Sequence, residues 1–268
     1  SSDVCSSDLI APNLRVQVVY TQGSRQNLQL MLNARGSKDG WCDVSLAQND
    51  AIRNYFSEHG EAKGQIVRMQ SLYSEKVHFL FNREAAKKYG IERVPNIRDK
   101  KDLTISVGTA GSGDNETWKS IIAADKAYDK VAKVFERKEE ALERIAAGDD
   151  VQGMVFTSGL NTPFVQKVMK SYSKEVVLLG FDDGDLKAAV DEKGKPIYKL
   201  AEIPAGMYRP IQPSGFTCMG SCSVNTVEVE AVLIYSKGWK DTDPDGYSAL
   251  VEAKNDLKAT IQKINDPK

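Results

Sequence analysis

Hydroxyl, amide and glycine residues recur in one seven-residue pattern. Thr21-Gln22-Gly23-Ser24-Arg25-Gln26-Asn27 and Thr109-Ala110-Gly111-Ser112-Gly113-Asp114-Asn115 both read T-x-G-S-x-x-N. Each follows an apolar, β-branched run, residues 16–20 in one case and 103–107 in the other, and each precedes a stretch with helical spacing. Glycine lets the chain turn sharply after a strand and lets a ligand approach the backbone. The following helix opens with unpaired N–H groups and the positive end of its dipole, a combination that binds carboxylates and other anions. Two copies predict two such ends, one in each of two lobes, facing a shared cleft. The plainer alternative is a pair of strand-to-helix turns in which Ser and Asn act as caps.

Bond-making chemistry has less material. The chain has no P-loop, no H-E-x-x-H and no G-x-S-x-G. Its two histidines are His59 and His78, and the second, within Val77-His78-Phe79-Leu80-Phe81, reads as a hydrogen-bonded core or hinge residue. No spacing of carboxylates singles out an acid–base pair, and the Lys/Glu run at 136–143 reads as a solvated helix face. Asp241, Asp243, Asp245 and Glu252 satisfy the EF-hand formula D-x-D-x-D-G-x5-E. Pro244 inside that loop, Ser248 at its eighth position and a strand-like segment ahead of it argue against calcium. No metal site, cofactor or catalytic residue is assigned.

The elements that must position the two turns alternate. Strands are expected at 14–20, 41–47, 65–72, 77–81, 131–135, 151–156 and 176–179. Helices are expected at 27–34, 51–56, 138–147 (ended by Gly148), from Thr162-Pro163 onward, and at 247–264. The charged, Pro95-containing segment 87–101 reads as surface chain, residues 196–215 as a loose Pro/Gly-rich stretch, and 217–234 as strand. Such alternation implies a mainly parallel α/β sheet, with ligands beyond the carboxyl ends of its strands. Those ends are the two turns, Gln48-Asn49-Asp50, and Thr157-Ser158-Gly159-Leu160-Asn161.

With 268 residues the chain can bury a full core without metals or disulfides. A net charge of −1 and the absence of a long basic cluster exclude a nucleic-acid surface of the usual kind, and no apolar run reaches membrane-spanning length. Residues 1–9 read as the translation of a sequencing-adapter end and are set apart from the fold. Of the other cysteines, Cys42, Cys218 and Cys222, two can form a disulfide if the protein is exported, or all three can pack as free thiols.

The ordered segments resemble the solute-binding proteins of the TAXI branch of TRAP transporters. Thr21-Gln22-Gly23-Ser24-x-x-Asn27, Ala47-Gln48-Asn49-Asp50, Ser71-Leu72-Tyr73 with Val77-His78-Phe79-Leu80, Asp102 to Gly108 with Gly111-Ser112-Gly113, and Ile203-Pro204-Ala205-Gly206-Met207-Tyr208 match that family's pattern in order across residues 10–268. The resemblance implies a type II periplasmic binding fold of α/β class. Lobe 1 comprises 10–75 and 187–268, truncated at its N-terminus, and lobe 2 comprises 76–186. Two crossing segments join them, with hinges near 72–76 and 217–224.

It also implies a non-enzymatic, extracytoplasmic receptor, its signal sequence lost with the N-terminus. Such a receptor captures a small carboxylate or amino acid and hands it to a TRAP permease in the membrane. An enzyme or a ligand-sensing domain on the same fold is the alternative. The ligand residues implied are Thr21, Gly23, Ser24, Asn27, Gln48, Asp50 and Tyr73 on one side, with Thr109, Gly111, Ser112, Gly113, Ser158 and Asn161 on the other. Asp114 departs from the family's Thr. It would repel a carboxylate unless it turns away as a helix cap.

Overall fold

In a computed structural model, residues 17–214 and 220–265 are described. They form two compact units, one of 17–74, 111–113 and 230–265, the other of 75–110, 114–214 and 220–229.

The first unit starts with helix α1 (Ser24–Leu32), whose buried Asn27, Leu28, Leu30 and Met31 recur at helical spacing. Strand β1 (Val44–Gln48) runs without a linker into α2 (Asn49–Glu58). β1 pairs antiparallel with the far part of β8 (Val224–Ser236), from Val44 opposite Tyr235 to Gln48 opposite Ala231. The early part of β2 (Ile66–Asn82) flanks β8, where Ser71 Oγ donates to Glu230 at 2.6 Å. Leu28, Met31, Ile52, Tyr55, Phe56 and Ile234 close one core. The short α7 (Trp239–Thr242) and the long α8 (Pro244–Asn265) cover another, around Leu72, Leu233, Trp239 and Leu250.

The second unit is built on the later part of β2. It pairs antiparallel with β5 (Gly153–Ser158) from Lys76–Ser158 to Phe81–Gly153, and with β6 (Val176–Leu179). β3 (Thr104–Ser106) lies parallel to β5 and to β4 (Ala132–Val134). β7 (Tyr198–Ile203) pairs antiparallel with the near part of β8. Helices α3 (Arg83–Tyr89), α4 (Gly113–Ala124), α5 (Lys138–Ala147) and α6 (Pro163–Ser171) complete it. Phe79, Phe81, Trp118, Tyr128 and Phe181 are almost wholly buried, each such side chain stabilising the fold by about 2 kcal/mol through apolar burial.

The fold is α/β, as the alternation of patterns indicates, and α5 and β6 have the bounds read from the sequence. Several expectations need correction. The sheet is mixed, because β2 pairs antiparallel with β5 and β6, and β8 with β1 and β7, while β3 pairs in parallel with β4 and β5. Residues 17–19 are irregular, and 14–16 lie outside the described residues. The segment 87–101 is no simple surface chain: Ile91, Val94 and Ile97 are buried in the second unit's core. β7 occupies part of the stretch read as loose. Residues 187–229 belong to the second unit, since β7 and the near part of β8 pair there, and Gly111–Gly113 belong to the first. The EF-hand formula falls on helix. Asp243 accepts from Gly246 N at 3.0 Å and from Trp239 Nε1 at 3.2 Å, so it caps α8, and Glu252 lies inside that helix.

Candidate functional site

The first turn is held by its own side chains. Thr21 Oγ1 donates to Asn27 Oδ1 at 2.5 Å, and Asn27 Nδ2 donates to Leu46 O at 2.8 Å. Asn27 thereby fastens α1 to β1. Ser24, 2% exposed, accepts from Gln48 N at 3.1 Å and so fastens the helix start to the end of the same strand. Gly23 has φ 131° and ψ −168°, a region essentially reserved for glycine. Asp50 is fully buried in the first turn of α2, where its Oδ1 accepts from Ala51 N at 2.7 Å. Tyr73 lies half-buried against the Leu72 cluster.

The second turn meets the first. Arg25 N donates to Gly111 O at 3.2 Å. A Cβ on Gly23 would stand 3.0 Å from Ser112 Cα, and one on Gly113 would stand 2.3 Å from Gln48 Oε1. The glycines of the repeated motif therefore permit contact between the two turns and with the Gln48 side chain. Both turns were expected to sit in different lobes; Gly111, Ser112 and Gly113 instead group with Gly23 and Gln48 in the first unit, while Thr109 stays with the second. Of the implied residues, the structure brings together Gly23, Ser24, Gln48 and Gly111–Gly113.

Ser158 and Asn161 lie in the second unit. Ser158 Oγ is 2.7 Å from Thr162 Oγ1, and Gln166 Nε2 donates to Asn161 Oδ1 at 2.9 Å. Both residues therefore order the start of α6, where Thr162 precedes Pro163 at the first helical position. Asp114 turns away into this unit as well. Its Oδ1 accepts from Thr157 N at 2.7 Å and from Thr157 Oγ1 at 2.8 Å. Burial raises its pKa above the usual carboxylate value, against the lowering effect of those bonds and of Lys138.

Sequence reasoning assigns no site role to Arg25, nor to Tyr208, which closes the Ile203-to-Tyr208 match. Arg25 lies over the Tyr55 ring, 5.4 Å from its centroid, and pairs with Glu58. Tyr208 OH donates to Leu160 O at 2.8 Å and lies 3.2 Å from His78 Nε2. His78 is stacked on Phe156 with centroids 4.7 Å apart, and its Nδ1 is 2.9 Å from Lys76 O. Burial pushes its pKa down to about 4, so it is a neutral core residue at physiological pH, as its sequence context indicates. Asp125, Asp183 and Asp185 bring carboxylate oxygens within 4.8 Å of one another. Arg98 pairs with Asp125 and Asp183 and lies over Tyr128, which makes the group an ion-pair network. Cys222 is disulfide-bonded and Cys42 is a free thiol, while Cys218 lies outside the described residues.

A family model covers residues 3–236 and is described as the NMT1-like family. The chain belongs to the NMT1-like family. No curated protein matches it. Among solved structures it is similar to holo ArgBP from T. maritima, at 12% identity and TM-score 0.42, over 91% of this chain and 71% of that one. It is also similar to the ancestral amino acid-binding protein AncCDT-1, a precursor of cyclohexadienyl dehydratase, at 13% identity and TM-score 0.41, over 81% and 74% of the chains. A third is the arginine-, lysine-, histidine-binding protein ArtJ from Geobacillus stearothermophilus, at 11% identity and TM-score 0.40, over 78% and 65%.

Proposed function

We propose that this chain is an extracytoplasmic solute receptor of the TAXI type, which captures a small carboxylate or amino acid and delivers it to a TRAP permease. The observation that carries the reading is the meeting of the two T-x-G-S turns in the first unit, with Gly23 against Ser112 and Gly113 beneath Gln48. Two glycine turns that approach this closely, one beside the start of α1 and one leading into α4, concentrate backbone dipoles and hydroxyls where an anion gains most. In this reading the carboxylate rests on Gly111, Ser112 and Gly113 at the start of α4. Thr21, Ser24 and Asn27 act mainly by holding α1 to β1, and Asp50 and Tyr73 frame the first unit's side. The bonds from Thr157 to Asp114 favour the reading, because they hold its charge by β5. The disulfide at Cys222 fits an oxidising compartment.

Calorimetry on the intact protein with glutamate and other small carboxylates tests this. Saturable binding that Ser112→Ala weakens about tenfold is expected, since a hydrogen bond to a charged group contributes about 1.5–3 kcal/mol. Binding that is indifferent to Ser112→Ala, with the fold intact, overturns the site. Chemical turnover of the bound ligand overturns the receptor assignment.

A further inference from the structure

The second unit carries a cleft of ≈ 350 Å³ that shares no residue with the two glycine turns. That volume lies in the range of small-molecule sites. Val165, Met169, Met207 and Pro210 give it apolar walls, and Tyr208 contributes to its lining. Tyr208 is only 2% exposed and is fixed by its bonds to Leu160 O and to His78, so this part of the lining exists before any ligand arrives. Met207, by contrast, is 43% exposed, more than a core methionine would be. Methionine thioethers are polarisable and adapt to apolar bodies of varied shape.

The polar part of the lining is one-sided. It consists of Asn161, Gln166 and Lys170, with no carboxylate among the lining residues. Lys170, in the last turn of α6, makes no ion pair among the described residues. Asn161 Oδ1 already accepts from Gln166, which leaves its Nδ2 group to donate. An ammonium and an amide N–H at the edge of an apolar cleft complement one negative group on an apolar body.

We propose that this cleft is a second binding site, for a small molecule with an apolar body and a single carboxylate. The carboxylate meets Lys170 Nζ and Asn161 Nδ2, and the body lies between Met169 and Met207. None of its residues belongs to the two turns on which the receptor reading rests; Asn161 alone is shared with the ligand residues that the family resemblance implies.

Octanoate is the probe, titrated by calorimetry and by the methyl resonances of methionine in the intact protein. Saturable millimolar binding is expected, as befits a ligand of this size, with the Met169 and Met207 methyl signals shifting together. Lys170→Glu, an exposed substitution, should weaken binding about tenfold by removing a charge-assisted bond. Octan-1-ol should bind more weakly than octanoate. Ser112→Ala should leave octanoate affinity unchanged, whatever it does to ligands of the turns. No saturable response up to about 10 mM overturns the proposal. Equal affinity in Lys170→Glu, or loss of binding in Ser112→Ala alone, does so as well.

Discussion

Replacing His78 by glutamine should flatten the acid side of the protein's stability profile. In the folded chain the imidazole titrates at about 4, against an ordinary value of 6.5, because burial opposes its charged form and the Lys76 charge adds to the effect. The unfolded chain takes up a proton as pH falls through 6.5, whereas the folded chain resists until about 4. Stability from the neutral imidazole is therefore present in full above 6.5 and lost as pH falls towards 4. Between pH 7 and 4.5 the loss from this one residue is about 2 kcal/mol. Urea unfolding at those two pH values, followed by tryptophan fluorescence, gives the decline for each protein. All other titrating groups are common to wild type and His78→Gln, so the variant's decline should be smaller by about 2 kcal/mol, whatever its stability at pH 7. Equal declines would show that His78 is protonated in the folded state or exposed to water, and would refute the reasoning.

Gly23→Ala should cost about 2–4 kcal/mol by chemical denaturation, from the backbone conformation at φ 131° and the approach of Ser112 Cα to 3.0 Å. Gly64→Ala, at φ 84° with open space around it, should cost only about 1 kcal/mol; equal losses would mean that the contact between the turns contributes nothing. Asp114→Asn should raise the melting temperature at pH 7, because the raised pKa of the native carboxyl means that ionisation opposes folding. That penalty is absent below the ordinary value of 3.8 and complete above the raised one, so a variant less stable than wild type at pH 7 would refute it. Arg98→Met should destabilise by about 3 kcal/mol, since it leaves Asp183, 7% exposed, beside Tyr128 without its cation, and a loss within a few tenths of a kcal/mol of zero in thermal unfolding would contradict that.

The elements that the sequence showed best are those whose signals are local. Residues 138–147 carry Ala141, Leu142 and Ile145 on one face and end at Gly148, whose φ of 75° suits glycine, so helix and cap agree. The Thr162-Pro163 start of α6 is equally local. Strand direction is not local: nothing in residues 66–82 says that β2 runs antiparallel to β5, because pairing is decided by the chain's long-range course. β7 was hidden because its outward residues, including the 55% exposed Leu200, break the alternation expected of a strand with one buried face. At the site, the repeated motif marked the turns correctly as units of structure. It could not show that Gly23 would lie against Ser112, or that Ser24 and Asn27 would be engaged with Gln48 and Leu46.

The order of segments along the chain bears on how the protein is made. The last residue of the second unit is 229, whereas the first also needs residues 230–265. The far part of β8 and the two closing helices come last, so β1, at 44–48, waits for a strand partner at 231–235. Contacts of such long separation form slowly, and domains tend to fold as they emerge from the ribosome. The second unit should therefore reach its native form first, while Leu28, Ile52, Tyr55 and Phe56 remain uncovered for lack of Val232 and Ile234. During that interval the early half of the chain offers its apolar faces to chaperones. A stop codon near residue 230 would release a chain with one finished unit and one that cannot close its core.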